Sequence, residues 1–144
     1  MILVSACLCG TNCKYSGGNN LSGEVLRLLA EGKAIPVCPE QLGGLTTPRP
    51  TAEISGGTGA DVLEGSAKVL TSSGADVTDN FTRGAREVLS IAKAAGAKEA
   101  ILKAKSPSCG CGRIYDGTFS GKLVEGNGVT AELLIRNGIM VKTV

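Results

Sequence analysis

The segment Ala100-Ile101-Leu102-Lys103-Ala104-Lys105-Ser106-Pro107-Ser108-Cys109-Gly110-Cys111-Gly112 begins as a short apolar run and continues as a turn-rich stretch of hydroxyls, thiols, lysines and glycines. Two other segments have the same form, because an apolar run ends at a cysteine in both: Ile2-Leu3-Val4-Ser5-Ala6-Cys7 and Ile35-Pro36-Val37-Cys38-Pro39-Glu40. Short apolar runs bounded by turn residues predict buried strands. Three predicted strands therefore carry a thiol at the carboxyl end, and their meeting point is the predicted centre of the protein.

Helical patterns alternate with these strands. Apolar residues recur at helical spacing over Leu21–Glu31 and over Asp79–Ala95, and Val129–Arg136 predicts a shorter helix that ends at Asn137-Gly138. The strands are predicted over Ile2–Ala6, Ala34–Val37, Ala100–Lys103 and Ile139–Lys142. Strands separated by helices predict an α/β fold, with a parallel open sheet covered by helices on both faces in the manner of Rossmann-like domains. The length favours a single domain over residues 1–144.

Three further segments have weaker patterns. Pro39–Gly59 is rich in glycine and proline and predicts a long irregular segment, which in a compact domain is usually functional. Asp61–Val77 predicts a hairpin that pairs Val62-Leu63 with Ala67–Leu70, and Arg113–Val124 predicts a second hairpin. In open parallel sheets the binding site lies outside the carboxyl ends of the strands, near a topological switch point. The three strand-end cysteines are expected there.

Composition excludes several classes of function. The formal net charge of +2 arises from 15 basic and 13 acidic residues without charged runs, and aromatic residues make up 3% of the chain. This balance disfavours direct binding to nucleic acid, and no segment is apolar enough to span a membrane. Histidine is absent, which excludes serine–histidine and cysteine–histidine catalysis and every zinc site that needs histidine. We expect a cytoplasmic protein that acts on a small molecule and keeps its six cysteines reduced.

Thiols alone, without histidine, favour zinc or an iron–sulfur cluster. The spacings Cys7-x-Cys9 and Cys109-x-Cys111 are too tight for the paired Cys-x-x-Cys knuckles of a zinc ribbon. A cluster held by three cysteines leaves one iron open as a Lewis acid. The competing interpretation is that the buried cysteines act as small apolar residues of the core.

Several polar residues near the cysteines have two interpretations each. Glu40 is either a general base that activates water or a solvated residue at the start of a helix. Ser106 and Ser108 either orient substrate or water, or bind backbone groups in the Ser-Pro turn. Arg49 and Glu53 either wall a pocket or join loops through an ion pair, and a continued strand would direct Lys103 and Lys105 to opposite faces. Asp116 is interpreted as a turn residue.

Six strings of the sequence occur together in the bacterial thiouracil desulfidase family, which was long known as a domain of unknown function. They are Val4-Ser5-Ala6-Cys7-Leu8-Cys9-Gly10, Pro36-Val37-Cys38-Pro39-Glu40-Gln41-Leu42-Gly43-Gly44-Leu45, Thr47-Pro48-Arg49-Pro50, Ser106-Pro107-Ser108-Cys109-Gly110, Ile114-Tyr115-Asp116-Gly117-Thr118-Phe119 and Gly128-Val129-Thr130-Ala131-Glu132-Leu133-Leu134. The chain resembles this family over almost its whole length. The resemblance implies an α/β domain that holds a [4Fe–4S] cluster through three cysteines and leaves one iron free.

By position, the resemblance assigns the cluster ligands to Cys7, Cys38 and Cys109, with Cys13 as the next candidate. It assigns the catalytic acid to Glu40 and the catalytic serine to Ser106 or Ser108. The sequence departs from the family at Cys9, where an aliphatic residue is usual, and at Cys111, where cysteine is unusual. Either thiol would close the open iron if it served as a fourth ligand.

The implied reaction is a non-redox desulfuration of thiouracil to uracil and hydrosulfide. In this hypothesis the free iron polarises the C–S bond, Glu40 activates the attacking water, and a serine holds the base or the water. Two alternative functions are also compatible with the sequence. One is a structural-metal or redox-sensing protein whose site is closed by four or more thiols, and the other is a sulfur-handling module that acts on thiolated tRNA through a partner. The sequence leaves the oligomeric state undetermined.

Overall fold

A computed structural model describes all residues, 1–144. It contains eight strands and five α-helices. The strands are β1 (Ile2–Ser5), β2 (Ala34–Val37), β3 (Ala52–Ser55), β4 (Lys68–Thr71), β5 (Glu99–Leu102), β6 (Arg113–Tyr115), β7 (Leu123–Glu125) and β8 (Met140–Thr143). The helices are α1 (Gly23–Ala30), α2 (Pro39–Leu42), α3 (Gly59–Leu63), α4 (Thr78–Ala95) and α5 (Val129–Arg136). A single 3-10 turn, Ala6–Cys9, follows β1 directly.

The central sheet has four parallel strands in the order β2-β1-β5-β8. The chain passes from β1 to β2 on one side of the sheet and returns to β5 on the other side of β1. The topological switch point therefore lies between β1 and β5, at the strands that precede Cys7 and Cys109. The predicted α/β fold with a parallel sheet is confirmed.

Side chains alternate across the sheet and bury it on both faces. Leu3 and Leu102 pack on one face against Val88 of α4 and Leu134 of α5. Their neighbours Val4 and Ile101 belong to the opposite face, where Val25 of α1 covers them. This period of two, with apolar residues on both sides, is the pattern of a fully covered parallel sheet. Because both faces of the sheet are packed, it forms a scaffold that positions the loops at its carboxyl edge. None of the five α-helices combines the length and the apolar composition that a membrane-spanning helix requires.

The segment 39–77 is more regular than the sequence indicates. The predicted irregular stretch Pro39–Gly59 contains α2 and β3, and the predicted hairpin within Asp61–Val77 is wrong. Val62-Leu63 belongs to α3, and β4 pairs in antiparallel fashion with β3 instead. Thr58 and Asp61 form a capping box, since the Asp61 carboxylate accepts the Thr58 backbone N–H at 2.8 Å. This cap favours helix over strand at these residues.

The other predicted elements are present with small changes at their ends. The hairpin within Arg113–Val124 is formed by β6 and β7, and the strand predicted over Ala100–Lys103 ends at Leu102. Helix α4 ends at Gly96 in the left-handed conformation that the glycine cap predicts.

Helix α2 is held against α4 by a close approach of two backbones. A Cβ atom at Gly84 of α4 would collide with the carbonyl of Pro39, and one at Gly43 would collide with the carbonyl of Asn80. The Asn80 side chain also donates a hydrogen bond to the Gly43 carbonyl at 2.9 Å. Because α2 begins at Cys38-Pro39, this contact fixes the position of Cys38 and Glu40.

We therefore expect Gly84→Ala to destabilise the protein by about 1–3 kcal/mol, because the added methyl group has no room without separation of the two helices. Gly23→Ala in α1 is the matched control, since a Cβ there meets nothing within 4 Å. It should stabilise the fold by about 0.4–1 kcal/mol. Urea unfolding followed by circular dichroism measures both changes. Equal stabilities for Gly84→Ala and the wild type would show that α2 is not held in this way.

Candidate active site

A cavity of about 670 Å³ opens at the carboxyl edge of the central sheet. Cys7, Cys38 and Cys109 all line it, and they follow β1, β2 and β5, which are adjacent strands. The structure therefore brings the three strand-end thiols together, as the strand pattern predicts. All six cysteines of the chain are free thiols.

Cys13 also lines the cavity and lies between two of these thiols. Its thiol lies near enough to Cys7 and Cys38 to interact with both, and its carbonyl oxygen accepts from the Cys38 Sγ at 3.8 Å. The hydrogen bond from Cys13 lowers the pKa of Cys7 to about 6 and the pKa of Cys38 to about 7, although burial acts in the opposite direction. The same bonds, first to Cys38 and then to Cys7, raise the pKa of Cys13. Cys13 thus stays protonated, and its single S–H can donate to only one of the two neighbouring sulfur atoms at a time.

Cys109 is also buried at the cavity. Burial raises its pKa to about 12, and a hydrogen bond with the Ser5 hydroxyl opposes this effect. Lys103 lines the cavity and contributes positive charge near Cys7. A positively charged metal centre would remove the thiol proton, because metal binding requires the thiolate form.

Cys9 and Cys111 do not line the cavity. Cys9 is half-buried with the apolar cluster on the α1 side of the sheet, and Cys111 packs on the opposite cluster with its Sγ 3.9 Å from the Val141 carbonyl oxygen. The structure therefore does not bring either thiol to the other four. Neither position at which the sequence is expected to depart from the family lines the cavity.

The residues present fit an iron–sulfur cluster. The donor set at the cavity consists of thiols, and no three cysteine, aspartate or glutamate side chains converge closely enough to hold a single metal ion. A zinc ion needs such convergence, because its ligands surround one atom. In a four-iron cluster each thiolate binds a different iron, so thiols on three neighbouring strand ends suit it better.

Glu40 lies in the first turn of α2 and its side chain is 22% exposed, on the wall of the cavity. The Arg49 Nε lies 3.4 Å from the Glu40 Oε1 in an ion pair, and the Arg49 side chain is only 5% exposed. Arg49 also donates to the carbonyl oxygen of Cys13 at 2.9 Å and to the Thr47 hydroxyl at 2.8 Å. One guanidinium thus fixes both the Glu40 carboxylate and the loop that carries Cys13. Arg49 therefore both lines the cavity and joins two segments through an ion pair, and its partner in that pair is Glu40.

Ser106 and Ser108 have different surroundings. Ser106 lines the cavity, and its Oγ accepts the backbone N–H groups of Ser108 and Cys109, each at 3.0 Å. Because both lone pairs of this hydroxyl are engaged, its proton remains available as a donor. Ser108 is 1% exposed, does not line the cavity and shares a 2.8 Å hydrogen bond with Thr130. The structure therefore brings Ser106, and not Ser108, to the site.

Lys103 and Lys105 both line the cavity. They do not point to opposite faces, because β5 ends at Leu102 and the strand geometry does not continue through them. Lys105 has a φ of 69°, and Phe119 on the facing loop has a φ of 57°. These are the two non-glycine residues of the chain with positive φ, and both line this cavity. Side chains adopt this conformation at a cost, and such residues concentrate at functional sites. Asp116 accepts the Thr118 N–H at 2.9 Å and is the turn residue that the sequence predicts.

The aromatic residues were the functional feature that sequence reasoning missed. The chain has two tyrosines, two phenylalanines and no tryptophan. Tyr15, Tyr115 and Phe119 line the cavity, whereas Phe81 is in the core. The sequence contained one signal for them: of the four aromatic residues, only Phe81 lies on the apolar face of a predicted helix, so the other three had no predicted place in the core. Three aromatic rings at one cavity suit a flat, unsaturated ligand.

Comparisons with known proteins identify the family of the chain. The family model described as 2-thiouracil desulfurase matches residues 2–144. The uncharacterized protein YbbK of Bacillus subtilis (strain 168) is 54% identical over 141 residues, which cover 98% of this chain and 93% of that protein. The solved structure of the [4Fe–4S]-dependent thiouracil desulfidase TudS is similar with a TM-score of 0.86 and 46% identity, over 99% of this chain and 89% of that one. The chain belongs to the 2-thiouracil desulfurase family.

Proposed function

We propose that this protein is a [4Fe–4S]-dependent desulfidase that converts 2-thiouracil and water to uracil and hydrogen sulfide. The observation that carries the proposal is the convergence of three strand-end thiols on a cavity that aromatic residues also line. The likeness to the thiouracil desulfidase TudS supports the same cofactor and substrate class. The reaction replaces a C=S bond by a C=O bond and transfers no electrons to or from the protein.

Cys7, Cys38 and Cys109 are proposed to hold the cluster. A cluster bound by three thiolates supplies an iron without a protein ligand, which is a Lewis acid with affinity for sulfur. Cys13 lies beside Cys7 and Cys38 and is proposed to support these two ligands, donating its one S–H to either sulfur, rather than to bind iron. Free thiols are kept reduced in the cytoplasm, which is the proposed location.

Glu40 is proposed to take a proton from the attacking water, which adds to the carbon that bears the sulfur. Arg49 orients the carboxylate through its ion pair at 3.4 Å, so the base is held in position before substrate arrives. Ser106 is proposed to donate its free hydroxyl proton to the substrate or the water. Tyr15, Tyr115 and Phe119 line the cavity and are proposed to pack against the flat ring of the base.

The test is a turnover assay with protein that has been reconstituted anaerobically with iron and sulfide and then freed of excess reagents. We expect loss of 2-thiouracil with equal amounts of uracil and sulfide over many turnovers, and no activity in the untreated apoprotein. Parallel reactions with 4-thiouracil and with thiolated tRNA define the substrate class. A cluster-loaded preparation that releases no sulfide from any of them would contradict the proposal and favour a structural or redox-sensing role.

A further inference from the structure

A second buried carboxylate, Glu53 on β3, lines the cavity and takes no part in the chemistry proposed above. It is 8% exposed, although it lies next to Ile54, which is wholly buried in the core. Its Oε1 accepts the backbone N–H of Gly117 at 2.9 Å and that of Phe119 at 3.2 Å. Glu53 thereby fixes the loop between β6 and β7, and with it the ring of Phe119.

The second carboxylate oxygen of Glu53 has no partner in the protein. The hydrogen bonds of this side chain all involve Oε1, and none of the ion pairs of the chain includes Glu53. No buried side-chain oxygen or nitrogen lacks a partner, so Oε2 retains some exposed surface. Because the residue lines the cavity, that surface is available to a ligand there. An exposed carboxylate oxygen on a cavity wall can accept an N–H from a ligand that binds there.

The loop that Glu53 holds is itself closely fitted to β3. A Cβ at Gly117 would collide with the Ile54 carbonyl, and Phe119 keeps the left-handed φ of 57°. The free oxygen of Glu53 therefore belongs to the same rigid wall as the ring of Phe119. A flat ring that packs on Phe119 and carries an N–H at its edge matches both groups.

We propose that Glu53 is a specificity-determining residue, which accepts a ring N–H of the thiolated pyrimidine and so selects bases that carry this proton. The proposal rests on the proposed function, because it assigns the recognition of that substrate. 2-Thiouracil and uracil carry two ring N–H groups, and N-methylation removes one of them without a change in the sulfur. The consequence is that the enzyme discriminates against an N-methylated 2-thiouracil.

Glu53→Gln separates recognition from support of the loop. The amide oxygen can still accept both backbone N–H groups, whereas the amide nitrogen replaces the free acceptor by a donor. We expect the KM for 2-thiouracil to rise about 10–100-fold, with a smaller change in kcat. The wild type should prefer 2-thiouracil to its 1-methyl or its 3-methyl derivative by about 10-fold or more, and Glu53→Gln should lose most of this preference. A purely structural role would lower stability without a change in that ratio.

Asp116→Asn is the matched control. Asp116 is on the same loop and also accepts backbone and hydroxyl groups, but it does not line the cavity. It should retain the wild-type KM and the wild-type preference.

Titration calorimetry with uracil provides a readout that needs no turnover, so failure of the desulfuration and failure of this proposal are distinguishable. We expect wild type and Asp116→Asn to bind uracil about 10-fold or more tightly than Glu53→Gln does. The proposal is overturned by equal affinity of wild type and Glu53→Gln for uracil, by undetectable binding of uracil to the wild type, or by a wild type that shows no preference against either methyl derivative.

Discussion

Replacement of Cys7, Cys38 or Cys109 by alanine, one at a time, is expected to abolish both cluster binding and desulfidase activity. Each thiol is proposed to bind a different iron, so a single loss leaves an iron without a protein ligand and opens the cluster to solvent. Iron content after anaerobic reconstitution should fall from about four atoms per chain to nearly none. Iron analysis and the visible absorption of the cluster measure this directly.

Cys9→Ala and Cys111→Ala are the matched controls, because both thiols are half-buried in the apolar clusters and neither lines the cavity. They should retain iron and activity. Cys13→Ala should also retain the cluster, although with about 10-fold weaker retention, since outer partners of metal ligands have effects of this size. Loss of iron in Cys13→Ala together with full iron in Cys7→Ala would exchange the proposed roles of these two cysteines.

Glu40→Gln is expected to retain the cluster and to lower kcat by about 10²–10⁴-fold, which is the usual contribution of a general base. The amide keeps the size of the side chain but cannot take a proton from water. The measurement is the initial rate of sulfide release at saturating 2-thiouracil, normalised to the iron content of each preparation.

Glu87→Gln controls for the loss of one negative charge, because Glu87 is an exposed residue of α4. It should have the wild-type rate. A Glu40→Gln enzyme with a full cluster and a rate within a few-fold of wild type would remove Glu40 from the mechanism. The base would then have to be sought elsewhere at the cavity wall.

The sequence predicts the site best where a residue follows directly from a buried strand. Cys7 and Cys38 come directly after the ends of β1 and β2, so their place at the carboxyl edge of the sheet follows from the strands alone. Cys109 is separated from the end of β5 at Leu102 by the Ser-Pro turn, so its place also depends on that turn. A long amphipathic helix is predicted equally well: the helix predicted over Asp79–Ala95 corresponds to α4, Thr78–Ala95. The central sheet and the edge at which the thiols meet could therefore be predicted from periodicity, whereas the assignment of cluster ligands came from the family resemblance.

The antiparallel pair β3–β4 could not be predicted in this way. Ala52–Ser55 is a strand of only four residues, and its flanks, a proline-rich segment and Gly56-Gly57, are typical of loops. Its partner β4 comes after the intervening helix α3, so no hairpin pattern links the two strands. The signal for that helix was present in Thr58-x-x-Asp61, a capping box that outweighs the strand propensity of Val62.

The contacts that complete the site depend on loops meeting in space. The pairing of Arg49 with Glu40, the position of Cys13 between two thiols and the left-handed Phe119 on the Glu53 carboxylate all join segments that are irregular in sequence. Periodicity carries no information about such contacts. The separation of Ser106 from Ser108 is similar, since it is decided by the hydrogen bond between Ser108 and Thr130 of α5.

Cys7, Cys38 and Cys109 are proposed to hold a cluster with one open iron. A crystal structure of the anaerobically reconstituted protein, with an anomalous difference map at the iron edge, tests this assignment most directly. We predict a four-iron cluster bonded to the sulfur atoms of Cys7, Cys38 and Cys109, with the fourth iron facing the cavity and free of protein ligands. A fourth bond from Cys13, or a single metal ion in place of the cluster, would contradict the account.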